Sequence, residues 1–121
     1  MKTKHAYHLH NGLADKKLLL VGGDPRQVMV KKIQRAFNLQ HVFWLATREN
    51  NTRIDVFLSP ILNGQYDLVI ALCGLMRHQH LAYVRRLTKL AGVPLIVLTR
   101  SPSVERIAYE FEKIFPTGKC Q

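Results

Sequence analysis

A single α/β domain on a four-stranded parallel sheet is the fold this sequence predicts, and three observations predict it. Four short runs rich in Val, Ile and Leu recur along the chain: "KLLLVGG" at 17–23, "HVFWLAT" at 41–47, "YDLVIALCG" at 66–74 and "VPLIVLTR" at 93–100. Between them the apolar residues repeat at helical spacing. The length, 121 residues, suits one domain with a real core and is too short for two. Runs that are apolar without alternation are the mark of strands buried on both faces, as parallel sheets require. Strands alternating with helices through right-handed crossovers leave few assemblies. The expected one is flavodoxin- or Rossmann-like, strand order 2-1-3-4 with helices on both faces.

The elements follow in order. Residues 1–16, with "KHAYHLHNG", lie outside the pattern and read as a His/Lys-rich arm ahead of a domain at 17–116, with 117–121 as a tail. The first strand ends in Gly22-Gly23, as a chain turning sharply into a helix requires. A helix is then expected over 25–37, its stripe being Met29, Ile33, Ala36 and Phe37. Asp24 suits its N-cap and Pro25 its first turn, where a missing N–H costs nothing. The connection over 51–63 is the weakest helical pattern because Pro60 interrupts it. The helix over 76–91 has the stripe His80, Val84, Leu87 and Ala91. Ser101-Pro102 repeats the cap-and-proline signature before a helix over 102–115, whose apolar residues are Val104, Ile107, Ala108, Phe111 and Ile114 or Phe115.

Charge is the unusual property. Eighteen Lys and Arg against eight Asp and Glu give +10, a balance that implies anionic company, most often nucleic acid. From 25 to 48 stand Arg26, Lys31, Lys32, Arg35 and Arg48 with no acid; from 68 to 104 stand Arg77, Arg85, Arg86, Lys89 and Arg100, again with none. We expect Lys31, Lys32, Arg35, Arg85, Arg86 and Lys89 to meet nucleic acid. In a 2-1-3-4 sheet the helices at 25–37 and 76–91 cover opposite faces, so these residues cannot form one patch on a monomer. Either the charge meets at the shared strand-end edge or a dimer brings patches together. A homodimer is expected because four strands leave edges that need cover.

Ligands of open α/β sheets bind beyond the carboxyl ends of the strands, where the strand order reverses. Here that is the crevice between the first and third strands. A helix N-terminus disfavours nearby cations, yet Arg26, Arg77, His78 and Arg100 fall at or beside expected helix starts. An anion shared among them removes the conflict. The candidate anion site is therefore Gly22, Gly23, Asp24, Arg26, Gln27, Arg77, His78, Arg100 and Ser101, taking phosphate or a phosphate-bearing small ligand.

Other chemistries find less in the sequence. Neither GxxxxGK[ST] nor GxGxxG occurs, and no acidic cluster accompanies Asp24 as a receiver-type phosphoacceptor would need. Cys73 has no identifiable base and orienting acid, so catalysis is not expected; a phosphate-handling enzyme completed by a partner subunit is a third reading. The rival reading is a metal- or haem-binding sensor, using His5, His8 and His10, or Cys73, His78 and His80. Against it, His80 sits on an apolar stripe and reads as core. With two cysteines and no CxxC, a disulfide framework or zinc knuckle is not expected. No apolar run approaches the roughly 18 residues of a membrane span, and the first 17 residues carry histidines and lysines in place of a signal-peptide core. The expected compartment is the cytoplasm, with no membrane partner.

The pattern also resembles a family, the small bacterial domain of unknown function numbered 2325. The residues that carry the resemblance are "LLLVGGDPRQ", "FLSPILNGQYDLVIAL", "RHQHLAYVRRLTKLAGVPLIVL" and "TRSPS", together about residues 18–114. Members often carry Ser-His at the start of the third helix; His78 takes the histidine's place and Arg77 stands where the serine would. The family's recurring polar pattern maps onto Gly22, Gly23, Gln27, His78 and Ser101. The resemblance implies a Rossmann-like fold and a ligand-facing strand-end edge, and it implies no activity.

Overall fold

The structure is a computed structural model in which residues 13–46, 61–99 and 102–114 are described. Along the chain run β1 (Lys17–Val21), α1 (Gln27–Phe37), β2 (His41–Leu45), β3 (Leu68–Leu72), a short 3-10 turn (Cys73–Leu75), α2 (His78–Ala91), β4 (Leu95–Leu98) and α3 (Val104–Ile114). The strands form one parallel sheet in the order β2-β1-β3-β4, the expected arrangement. Lys17 pairs with His41, Leu18 with Leu68 and Val69 with Leu95, so the strands end near one level.

Position in the sheet explains each strand's composition. β3 is buried throughout and β1 from Leu18 onward, because each has a strand on either side and helices above or below. β2 departs from the sequence expectation of two buried faces. As an edge strand it alternates, with Val42 and Trp44 buried and His41 and Phe43 exposed.

Side chains alternate across the sheet, so β1 feeds two cores. Leu18 and Leu20 pack with Val30, Ile33 and Phe37 of α1 and with Phe111 of α3. Leu19 and Val21 pack on the other face with Ile61 and with Val84 and Leu87 of α2. The β1-to-β2 and β3-to-β4 steps leave the centre in opposite directions, and crossovers of one hand therefore place α1 and α2 on opposite faces. The result is a doubly wound, Rossmann-like α/β/α arrangement.

Each of the first two helices stops at a left-handed residue, Asn38 after α1 and Gly92 after α2. The two following N–H groups bond back into the last turn: Asn38 and Leu39 donate to Arg35 and Gln34, Gly92 and Val93 to Lys89 and Thr88. Among the described residues no helix is long and apolar enough to cross a membrane.

Candidate functional site at the carboxyl edge of the sheet

The turn after β1 is tied to its neighbours on both sides. The Gly22 N–H donates to the Leu45 carbonyl at 3.0 Å and the Gly23 N–H to the Leu75 carbonyl at 3.1 Å. The Trp44 indole N–H donates to the buried Gly22 carbonyl at 2.7 Å. These bonds stitch the turn to the end of β2 and to the 3-10 turn after β3. Gly22 has φ +124°, and a Cβ there would stand 3.0 Å from both the Cβ and the carbonyl oxygen of Leu72. A Cβ on Gly74 would collide with the Thr99 carbonyl, so the β3 and β4 turns close on each other as well. The glycines thus let backbones approach, and the amides of Gly22 and Gly23 point to carbonyls inside the protein. Sequence reasoning placed these two residues as a wall of the anion site; their N–H groups are already engaged.

All three described helices start two residues later than expected, at Gln27, His78 and Val104. The α1 cap position is Arg26, extended at φ −127° and ψ 116°, so Asp24 is not the N-cap and Pro25 is not in the helix. The chain needs Asp24-Pro25-Arg26, all exposed, to travel from the sheet edge to the helix layer. Before α3 the hydroxyl of Ser103 accepts the Arg106 N–H at 3.1 Å, and Pro102 is buried just outside the helix. Arg100 and Ser101 lie outside the described residues, as do Arg48 and His5, His8 and His10 of the expected arm.

Cations stand at the starts of two helices. α2 also begins behind an arginine: Arg77 is its cap residue, extended at φ −77° and ψ 154°. Neither α1 nor α2 has a side-chain cap hydrogen bond, and neither has an acid in its first turn. Their first N–H groups lack intrahelical partners, as at any helix start. Arg26, Gln27, Arg77 and His78 are all exposed at this edge, from which α1 leaves on one face of the sheet and α2 on the other.

His80 belongs to the interior. It is 6% exposed, on the inward side of α2, and burial pushes its pKa below the usual histidine value, with Arg77 adding to the shift. His78, two residues away, is exposed. Residues i and i+2 point to different sides of a helix, so Cys73, His78 and His80 do not form the metal set the sequence offered. Among the described residues no three His, Cys, Asp or Glu are grouped to hold a metal ion.

All six residues expected to meet nucleic acid are exposed: Lys31, Lys32 and Arg35 on α1, Arg85, Arg86 and Lys89 on α2. The two sets stand on opposite faces of the sheet. Sequence reasoning missed Trp44, Gly74 and Ser103. Trp44 was hidden in an apolar run, although a buried indole N–H needs an acceptor. Ser103, in "SPSVER", carries the same cap signal as Ser101 two residues later.

Comparison with family models, with curated proteins and with solved structures finds no match to this chain.

Proposed function

We propose that this domain is a non-catalytic, basic regulatory module that associates with nucleic acid and takes a phosphate or nucleotide at the carboxyl edge of its sheet. It works in the cytoplasm as a homodimer, and the resemblance to family 2325 belongs to the same reading. The observation that carries it is that α1 and α2 each begin with arginine at the cap, no capping side chain and no first-turn acid. An N-terminus bears roughly half a positive charge, which an adjacent cation makes worse. Two such ends beside the β1/β3 junction are reconciled by an anion held between arginine side chains and helix N–H groups. The glycines serve by shaping the turn; donation falls to the helix starts.

Thermal unfolding with added phosphate or nucleotide tests the site. Stabilisation should follow RT ln(1 + [L]/Kd), about 2.7 kcal/mol at a hundredfold excess over Kd. Arg26→Ala and Arg77→Ala should lose most of that response while keeping their circular dichroism. Equal shifts in wild type and both variants would leave only a general salt effect. For nucleic acid, binding at ~50 mM salt should weaken with log K falling by roughly 0.7 to 0.9 per phosphate contact against log[salt]; no binding to any single- or double-stranded form sinks that part.

A further inference from the structure

We infer that α1 and α2 hold two separate nucleic-acid duplexes at once, so that one copy of the domain bridges them; this rests on the nucleic-acid reading above. The two helices carry the same basic spacing. In α1 it is Lys31, Lys32 and Arg35, in α2 Arg85, Arg86 and Lys89: two adjacent cations and a third one turn on. All six are exposed. Arg35 and Lys89, in the last turns, also complement the negative ends of their helices. The other four lie further from those ends and have no such local explanation.

α3 shows what a charge-balanced surface of this chain looks like. It mixes Glu105, Glu110 and Glu112 with Arg106 and Lys113, and Lys113 pairs with Glu110 at 3.5 Å. Neither α1 nor α2 contains an acid, so within each set the cations repel one another. A surface built this way is complementary to a phosphodiester backbone, whose charge is dense and whose counterions are released on binding. The α2 surface continues toward the helix start through exposed Ala82 and Gln79, which share the face of Arg86 at helical spacing. A small side chain there lets a backbone approach, and glutamine also contacts phosphates.

Geometry separates the two surfaces. α1 packs on one face of the sheet and α2 on the other. Three layers, each about 10 Å thick, put the outer faces about 30 Å apart. A duplex with a persistence length near 50 nm does not fold around a body of that size without large deformation. A duplex lying on α1 therefore leaves α2 open for a second one, and the whole domain acts as a two-sided spacer.

The test uses the full chain, a biotinylated duplex on beads and a fluorescent duplex in solution at ~50 mM salt. Wild type should retain the fluorescent duplex on the beads. K31Q/K32Q/R35Q and R85Q/R86Q/K89Q, changed only at exposed positions, should each still bind a single duplex by anisotropy. The face that remains should keep its own slope of log K against log[salt], roughly 2.7 for three contacts. At dilutions where the mass in solution is that of one copy, so that a homodimer does not supply a second copy of the remaining face, both variants should lose bridging, while the charge-keeping R85K/R86K/K89R retains it with an unchanged circular dichroism spectrum. Parallel runs with DNA and RNA duplexes distinguish which backbone is taken. Bridging that survives at those dilutions in either glutamine variant overturns the inference, because the second face would then not be needed. Wild type that binds duplex without bridging overturns it and leaves the nucleic-acid reading standing; wild type that binds neither DNA nor RNA duplex overturns the inference, and failure to bind single strands as well overturns the nucleic-acid reading with it.

Discussion

Gly22 is where a single side chain has the least room. Its backbone lies at positive φ, and a Cβ would press on Leu72 from 3.0 Å. Gly22→Ala should therefore cost more than the ~1 kcal/mol of an ordinary glycine effect, read from the denaturant midpoint. Trp44 holds the other side of the same turn. Trp44→Phe keeps the ring but removes the 2.7 Å bond, leaving the buried Gly22 carbonyl without its donor, and should cost about 1–3 kcal/mol. His80 gives the turn's neighbour a pH dependence. Burial first and Arg77 second hold its folded pKa below the ordinary 6.5. The unfolded chain thus takes up a proton that the folded chain refuses. The stability His80 contributes is complete above pH 6.5 and is lost as pH falls from there through the folded value. Urea midpoints at about pH 7.5 and about pH 5 should differ more for wild type than for His80→Gln; an equal drop in both would place the titrating group elsewhere.

At the scale of the element, α1 and α3 differ in how they begin. α3 has a hydroxyl cap, and Ser103→Ala should cost about 1 kcal/mol. α1 has the extended cap geometry but an arginine in the position. Arg26→Ser supplies the missing acceptor and removes a cation from the positive end, so it should stabilise by about 0.5–1 kcal/mol. The same change should weaken the phosphate response proposed for this edge. A rise in melting temperature together with a loss of ligand response is the expected pair of outcomes. Should Arg26→Ser destabilise the fold, the arginine serves the helix itself and the anion reading loses its main support.

For the whole molecule, the +10 charge sets stability against salt. Self-repulsion of a compact cation is screened by added ions, so the melting temperature should rise between about 10 mM and about 0.5 M NaCl. R85Q/R86Q/K89Q should be more stable than wild type at the low end and show a flatter rise. If the variant and wild type rise in parallel, α2 is not where the repulsion concentrates. The β2 and β4 edges each pair on one side only within the described residues. Their cover in the proposed homodimer is checked by the mass in solution.

Local pattern by itself determined the strands, their parallel order and the three described helices. Apolar runs without alternation have few uses, and the handedness of crossovers removes most ways of joining them. It also marked His80 as core, because a helical stripe is a local property. Tertiary structure alone decided what the glycines do. Whether an amide faces a ligand or a carbonyl depends on Leu45 and Leu75, which are remote in the chain and brought close by the sheet register. The helix starts were misplaced for a related reason: a cap signal names candidate residues, while the distance from sheet edge to helix layer chooses among them, and the caps fall at Arg26, not Asp24, and at Ser103. The candidate set of Cys73, His78 and His80 came apart once α2 placed His78 at the surface and His80 in the interior, and the half-exposed face of β2 followed only from its place at the sheet's edge. Sequence periodicity reports what a residue is beside along its own element; which groups meet between elements is set by packing.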